Sequence, residues 1–194
     1  MRKLLILCAI CVLFFSGTAD PKRSDVYVQT NMFNIHYSEI YEQPTSVSYT
    51  VACTETKFSR SGLEFFKCDS IYTSDNADYA NNEYDKGHMA PAADFACDKE
   101  KLKNTFTYLN CALQNERLNR GVWKMLETHE RDLATRNTTT ASITIHFSKS
   151  SKKLPSGATV PDGFTKVIKS SNVTEKYYFP NVAPTKKTYA EYKQ

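Results

Sequence analysis

One short run, Glu83-Tyr84-Asp85-Lys86-Gly87-His88-Met89-Ala90-Pro91, puts an imidazole directly behind a glycine, with a carboxylate and an ammonium just ahead of it. Histidine ordinarily titrates near neutral pH, so it can take up or release a proton there. Lys86 supplies a charge that can meet an anion. Gly87 has no Cβ, so the backbone can turn sharply or be approached closely. Pro91 fixes φ and ends strand pairing soon after the histidine. The pattern predicts an imidazole on a stiff strand-to-loop corner. Taken alone, a single histidine is more often a structural, hydrogen-bonded residue.

A second set lies downstream. Asn119, Trp123 and Glu127 fall four apart, which on a helix places them along one face. An amide oxygen and a carboxylate are hard ligands of the kind Mg²⁺ accepts. At 1.5 Å per residue the two lie about 12 Å apart along a straight helix, too far for both to grip one ion at about 2.1 Å. One direct ligand, with the other holding one of the ion's waters, fits that spacing. A plain solvated polar face fits it as well.

The elements that would position these groups read as a mixture. Tyr37–Tyr41 and Val47–Val51 alternate apolar and polar as half-buried strands do, with Gln43-Pro44 as the turn between them. Phe65 and Phe66 suggest a short strand ending at Cys68, and residues 69–83 a surface loop. Asp98 predicts a cap for a short helix over 99–104. Thr105–Asn110 alternates like a strand. From Glu116 to Ala134 the apolar spacing turns helical, with Gly121 a weak point costing about 1 kcal/mol relative to alanine. Ser142–Phe147, Phe164–Ile168 and Tyr177–Phe179 read as further strands. Residues 20–34 read as an exposed lead-in. There are no repeats and no linker.

The 194 residues suffice for one domain with a real core. Met1-Arg2-Lys3, the apolar run Leu4–Phe15 and Ser16-Gly17-Thr18-Ala19 form a charged head, an apolar stretch and a small-x-small end. That predicts a secretory signal peptide over 1–19, cut after Ala19, with residues 20–194 as a single domain. The run is shorter than the roughly 20 residues that cross a bilayer, so no membrane anchor is expected after cleavage. Its removal takes away Arg2 and Lys3 and halves the formal charge of +4, a balance that neither demands nor excludes a nucleic-acid partner. Cys53, Cys68, Cys97 and Cys111 remain. Export makes them disulfide candidates, with three pairings possible. Cys53–Cys68 and Cys97–Cys111 are favoured because each closes a short loop. No two of the four have the close spacing of structural zinc sites. Asn137-Thr138-Thr139 and Asn172-Val173-Thr174 are glycosylation sequons.

Together, the two stretches resemble the DNA/RNA non-specific endonuclease family, whose site is a ββα-metal (His-Me) finger. Asp85, Gly87, His88, Met89 and Ala93 match its Asp-Arg-Gly-His pattern; Asn110, Gln114, Asn119, Gly121, Trp123, Leu126 and Glu127 match its second one. The resemblance covers about Ile35 to Leu133 well. The element pattern predicts one α+β domain; the resemblance implies a central antiparallel sheet in it and hydrolysis of phosphodiester bonds in DNA and RNA, which the signal peptide would make the work of a secreted, extracellular enzyme. The resemblance implies His88 as general base, with its other ring nitrogen fixed by an acceptor, and Lys86 on the scissile phosphate. Asn119 would be the direct ligand of Mg²⁺, or of Mn²⁺ in its place, with Glu127 ordering the ion's waters. Asp85, Asn110 and Gln114 would shape or support the site.

This chain departs from the pattern in places. Lys86 stands where the family has arginine, and lysine is a flexible point charge rather than a planar fork. The family's upstream arginine has no close counterpart before Phe66-Lys67-Cys68-Asp69; Arg60 is nearest, and Lys57 or Lys67 are substitutes in charge only. His36, His129 and His146 match no motif and read as structural or exposed. The alternative implied by these departures is a weak or idle relative that binds nucleic acid or another polyanion. Oligomeric state is not legible.

Overall fold

The computed structural model describes residues 23–171 and 173–194. The expected signal peptide and the Asn172 sequon lie outside those residues. The expected α+β architecture is present. A six-stranded antiparallel sheet runs in the order β1 (Asp25–Gln29), β2 (Phe33–Ser38), β3 (Gln43–Thr50), β6 (Thr139–His146), β7 (Gly163–Ser170) and β8 (Val173–Pro180). Strict alternation selects its inner face: Ile35, Tyr37, Val47, Ile143, Phe164, Ile168, Tyr177 and Phe179 are buried. Trp123, Leu118, Leu126 and Phe95 close over them.

On the covered face sits a separate two-stranded antiparallel ribbon, β4 (Tyr84–His88) with β5 (Cys111–Asn115). Its register pairs Asp85 with Gln114 and His88 with Cys111. The helical segment follows β5 without a loop: α2 (Glu116–Leu118), a π turn over Asn119–Trp123, and α3 (Lys124–Ala134). Asn115 caps it by accepting from the Arg117 and Leu118 amides. Strand, strand and helix thus form a ββα unit packed on the large sheet. The short helix α1 (Lys99–Asn104) begins as expected, with Asp98 accepting from the Glu100 and Lys101 amides.

Several expectations fail for identifiable reasons. Part of the supposed lead-in is β1, an edge strand whose Val26 and Val28 are buried against the core. The first reversal falls at residues 39–42, with Glu42 at φ +55°, and Gln43 opens β3 because its amide turns inward to accept from Leu113 N at 2.8 Å. Residues 105–110 form no strand; they turn through a 3-10 segment, Tyr108–Asn110. Phe66 makes one parallel bridge, to Thr107, rather than a strand. The polar stretch 69–83 is partly internal, burying Ile71, Thr73, Ser74 and Asp78. The helix after β5 is not continuous: Gly121 leaves helical geometry at φ −101°, ψ −115°. Both favoured disulfides are wrong. Cys53 bonds Cys97 across 44 residues, and among the described residues Cys68 and Cys111 are free thiols. Local loop length is a poor guide when the chain between two cysteines doubles back.

Candidate active site on the β-ribbon and its helix

Alternation along β4 separates the motif into two sets. Lys86 and His88 share one side of the ribbon, while Asp85 and Gly87 share the other with Gln114. The need for glycine at 87 is steric. A Cβ there would lie 2.3 Å from Gln114 Oε1 and 2.6 Å from Gln114 Cβ. The close approach expected from the sequence is therefore made by a neighbouring side chain.

His88 ends β4 and is held between aromatic rings. Phe106 stands edge-on with its centroid 4.7 Å away, and Phe65 is tilted at 4.8 Å. Among the described residues its buried Nε2 has no hydrogen-bond partner, so the acceptor expected for the non-reacting ring nitrogen is not found there, and packing against the two rings orients the imidazole. Burial, with the charge of Arg60 second, pulls the imidazole down to about 3. His88 is thus neutral across the physiological range, and the same burial makes it a weak base in this state. With Nε2 sealed, exchange with solvent or substrate falls to Nδ1.

Lys86 does not point free. Its ammonium donates to Asn76 Oδ1 and faces the rings of Tyr108, Phe65 and Tyr79 at 5.4, 5.5 and 5.8 Å. Tyr108 Oη donates to the same Asn76 oxygen at 2.7 Å. Asn110 is fully committed to backbone: Oδ1 accepts from Ala90 N at 2.8 Å, and Nδ2 donates to Ala90 O and Thr105 O. It clamps the loop that follows His88.

On the other side of the ribbon, Asn119 Nδ2 donates to Asp85 Oδ2 at 2.9 Å, and Arg120 grips both oxygens of Asp85, at 2.9 and 2.6 Å. This ties the helix to β4 three residues before His88. It also turns the amide of Asn119 so that Oδ1 is its remaining acceptor. Glu127 lies half-buried on α3, beyond the Gly121 kink rather than along one straight face from Asn119. Burial pushes its carboxyl up to about 7; Lys166 and Arg131 oppose that rise, and Glu130 adds to it. Behind it, Lys166 and Glu130 form a wholly buried ion pair at 2.6 Å, and Arg131 bonds buried Asp94 at 2.9 Å.

Among the described residues, no three His, Cys, Asp or Glu side chains cluster as a metal cage. The oxygen donors fit a largely hydrated hard cation. Asn119 offers Oδ1, Glu127 a carboxylate, and Gln114 a buried amide whose oxygen and nitrogen both lack partners. Unsatisfied buried polar atoms of that kind call for a ligand or water. Phe65, Phe106, Asn76, Tyr108 and Arg120 were not foreseen. Only the aromatic richness of 65–66 and 106–108 hinted at them.

Known proteins place this arrangement. A sequence profile of the DNA/RNA non-specific endonuclease family matches residues 15–193. Bovine "Endonuclease G, mitochondrial" is 35% identical over 78 residues, 39% of this chain and 26% of its own length. "Nuclease 1, mitochondrial" of Schizosaccharomyces pombe is 26% identical over 174 residues, 77% of this chain and 54% of its length. The match thus spans about a quarter of the bovine relative. A solved chain from an EndoG/EndoGI complex superposes with TM-score 0.76 over 87% of this chain and 79% of that one, at 22% identity; this likeness concerns the fold.

Proposed function

Since this chain belongs to the DNA/RNA non-specific endonuclease family, we propose that it is a secreted, metal-dependent endonuclease that hydrolyses DNA and RNA without sequence preference. The observation that carries this reading is the ββα unit, in which the helix bearing Asn119 is tied through Asp85 to the strand that His88 ends, with His88 and Lys86 on one side of that strand and Asp85 with Asn119 on the other. His88 takes the proton of the attacking water at Nδ1, as water oxygen bonds to phosphorus and the bond to the 3′ oxygen breaks. Its neutrality leaves that nitrogen unprotonated, and its basicity must rise from a pKa of about 3 when substrate occupies the site. Asn110 keeps the strand end in place, and Lys86 supplies positive charge beside the phosphate. Asn119 and Glu127 would hold Mg²⁺, or Mn²⁺ in its place. That cation, when bound, neutralises charge growing on the phosphate and the leaving oxygen. The Cys53–Cys97 bond supports an oxidising compartment and hence export.

Degradation of plasmid and total RNA by the purified protein, with and without EDTA, tests this. Metal-dependent cleavage that His88→Ala abolishes is the expected outcome. Absence of such cleavage, or a His88→Ala variant as active as the parent, overturns it. One observation favours a second reading, a relative that binds polyanions without cutting: Lys86 is caged by three rings and Phe65 covers His88. That reading gives salt-sensitive binding with no strand breaks.

A further inference from the structure

A groove of about 470 Å³ runs between residues 58–63 and α1. Its floor is Leu63 and Leu102, part of a small apolar cluster that also holds Phe65 and Phe106. Phe106 is the ring set edge-on to His88, so the groove lies directly behind the histidine's packing wall. The wall is braced. Lys57 N and Phe58 N both donate to Ala96 O at 2.9 Å, and the Cys53–Cys97 bond ties the start of this segment to the residues before α1. The rim carries Phe58, 40% exposed, on one side, and Lys99 and Lys103, one helical turn apart, on the other. Lys57 and Arg60 flank it on the loop. Among the described residues, none of these four cations is in an ion pair, as holds for most of the lysines and arginines, so their charge is available to a ligand. One carboxylate, Glu100, also lines the groove.

We propose that this groove is a nucleotide subsite for single-stranded nucleic acid. It seats the base of a residue flanking the cut bond against Phe58 and its phosphate between Lys99 and Lys103. The volume falls within the range of small-ligand sites, roughly 300–1,000 Å³. An exposed ring beside unpaired cations is the combination that binds unstacked bases and their phosphates. A base inside a duplex has no free face to offer, which is what makes the strand single. The inference rests on the nuclease reading.

Binding of a fluorescein-labelled single-stranded DNA 12-mer and of the matching duplex, in EDTA to prevent cutting, tests it. The parent should bind the single strand with an affinity that falls as salt rises. Lys99→Gln/Lys103→Gln should bind it about tenfold more weakly, with a log–log salt slope smaller by about 0.7, the amount for one phosphate contact on a single strand. Phe58→Ala should lose about fivefold or more on the single strand and little on the duplex. All these side chains lie on the rim, so unchanged melting curves accompany those losses. If the parent binds and the variants match it, the subsite is wrong and the nuclease reading stands. If the parent binds no nucleic acid at all, the subsite is wrong, and metal-dependent cleavage by the parent decides the nuclease reading separately.

Discussion

Phe65 lies ring against ring on His88, centroids 4.8 Å apart, and the same phenylalanine faces the Lys86 ammonium at 5.5 Å. Backbone bonds from Phe66 N to Phe106 O and from Tyr108 N to Phe66 O hold it there. One aromatic side chain therefore sets the surroundings of both groups assigned to proton transfer and phosphate contact.

Truncating that ring should be visible in pH dependence. Burial is the main cause of the fall of His88 to about 3, so Phe65→Ala should return it toward the ordinary value near 6.5. The parent should then keep its base neutral at pH 5.5, while the variant loses several-fold in rate at pH 5.5 relative to pH 8. Stability carries the same sign. The unfolded chain takes up a proton below about 6.5 that the folded histidine refuses until about 3. Stability is thus lost as pH falls through that window, and less so in Phe65→Ala. Rate profiles and urea melts at pH 4–8 check both.

Gly87→Ala should damage the ribbon itself. The added Cβ meets Gln114 Cβ at 2.6 Å, which a rotation of the amide cannot relieve. Overpacking of this kind costs about 1–3 kcal/mol, and the shift moves His88. Gln114→Gly in the same chain removes the obstacle and should recover most of the melting temperature. Activity need not return with it, because Gln114 brings an unpartnered amide to the site.

The legible part of this protein was what alternation, capping and ordered motifs encode. Val47, Ile143 and Phe164 announced inward-facing strands, Asp98 announced a helix start, and the order His88 then Asn119 announced the ββα unit. Tertiary contact decided the rest. Gln43 looks like a turn residue until Leu113 N is there to meet it. Thr105–Asn110 alternates like a strand, yet Asn110 is drawn instead into clamping Ala90. Cys53 finds Cys97 because the intervening chain returns on itself. Phe65 carries no spacing that ties it to His88. The motif residues could be named from their spacing, but the packing around His88 and Lys86 could not.

The buried pair Lys166–Glu130 should show the asymmetry of internal charges. Both side chains are fully buried, and Tyr49 Oη donates to Glu130 at 2.7 Å. Lys166→Met strands the carboxylate and should cost about 3–5 kcal/mol in urea unfolding, whereas Lys166→Met with Glu130→Leu should recover most of it. Equal losses in the two would show that the charge pair itself, rather than its uncompensated half, supports the core.

The disulfide closes a separation of 44 residues, for which loop-closure entropy gives about 4 kcal/mol. Cys53→Ser/Cys97→Ser should lose stability on that scale, while Cys68→Ser, at a half-buried free thiol, should lose little. A Cys68 variant that melts as early as the double variant would mean that the pairing is different.

Lys86→Arg tests how far the cage governs catalysis. The ammonium is compact, and its donation to Asn76 spends one of its bonds inside the ring of Tyr108, Phe65 and Tyr79. A guanidinium is longer, stacks on aromatic faces and still presents a two-pronged edge to a phosphate. The arginine should therefore keep the aromatic contact while extending beyond it, raising kcat/KM on plasmid by about tenfold, the effect of roughly 1.4 kcal/mol in the transition state. Asn76→Ala should move the rate the same way by a smaller factor, since it frees the ammonium without lengthening it. If both variants cut no faster than the parent, the cage does not limit the reach of Lys86, and the cation at 86 is not what slows this chain.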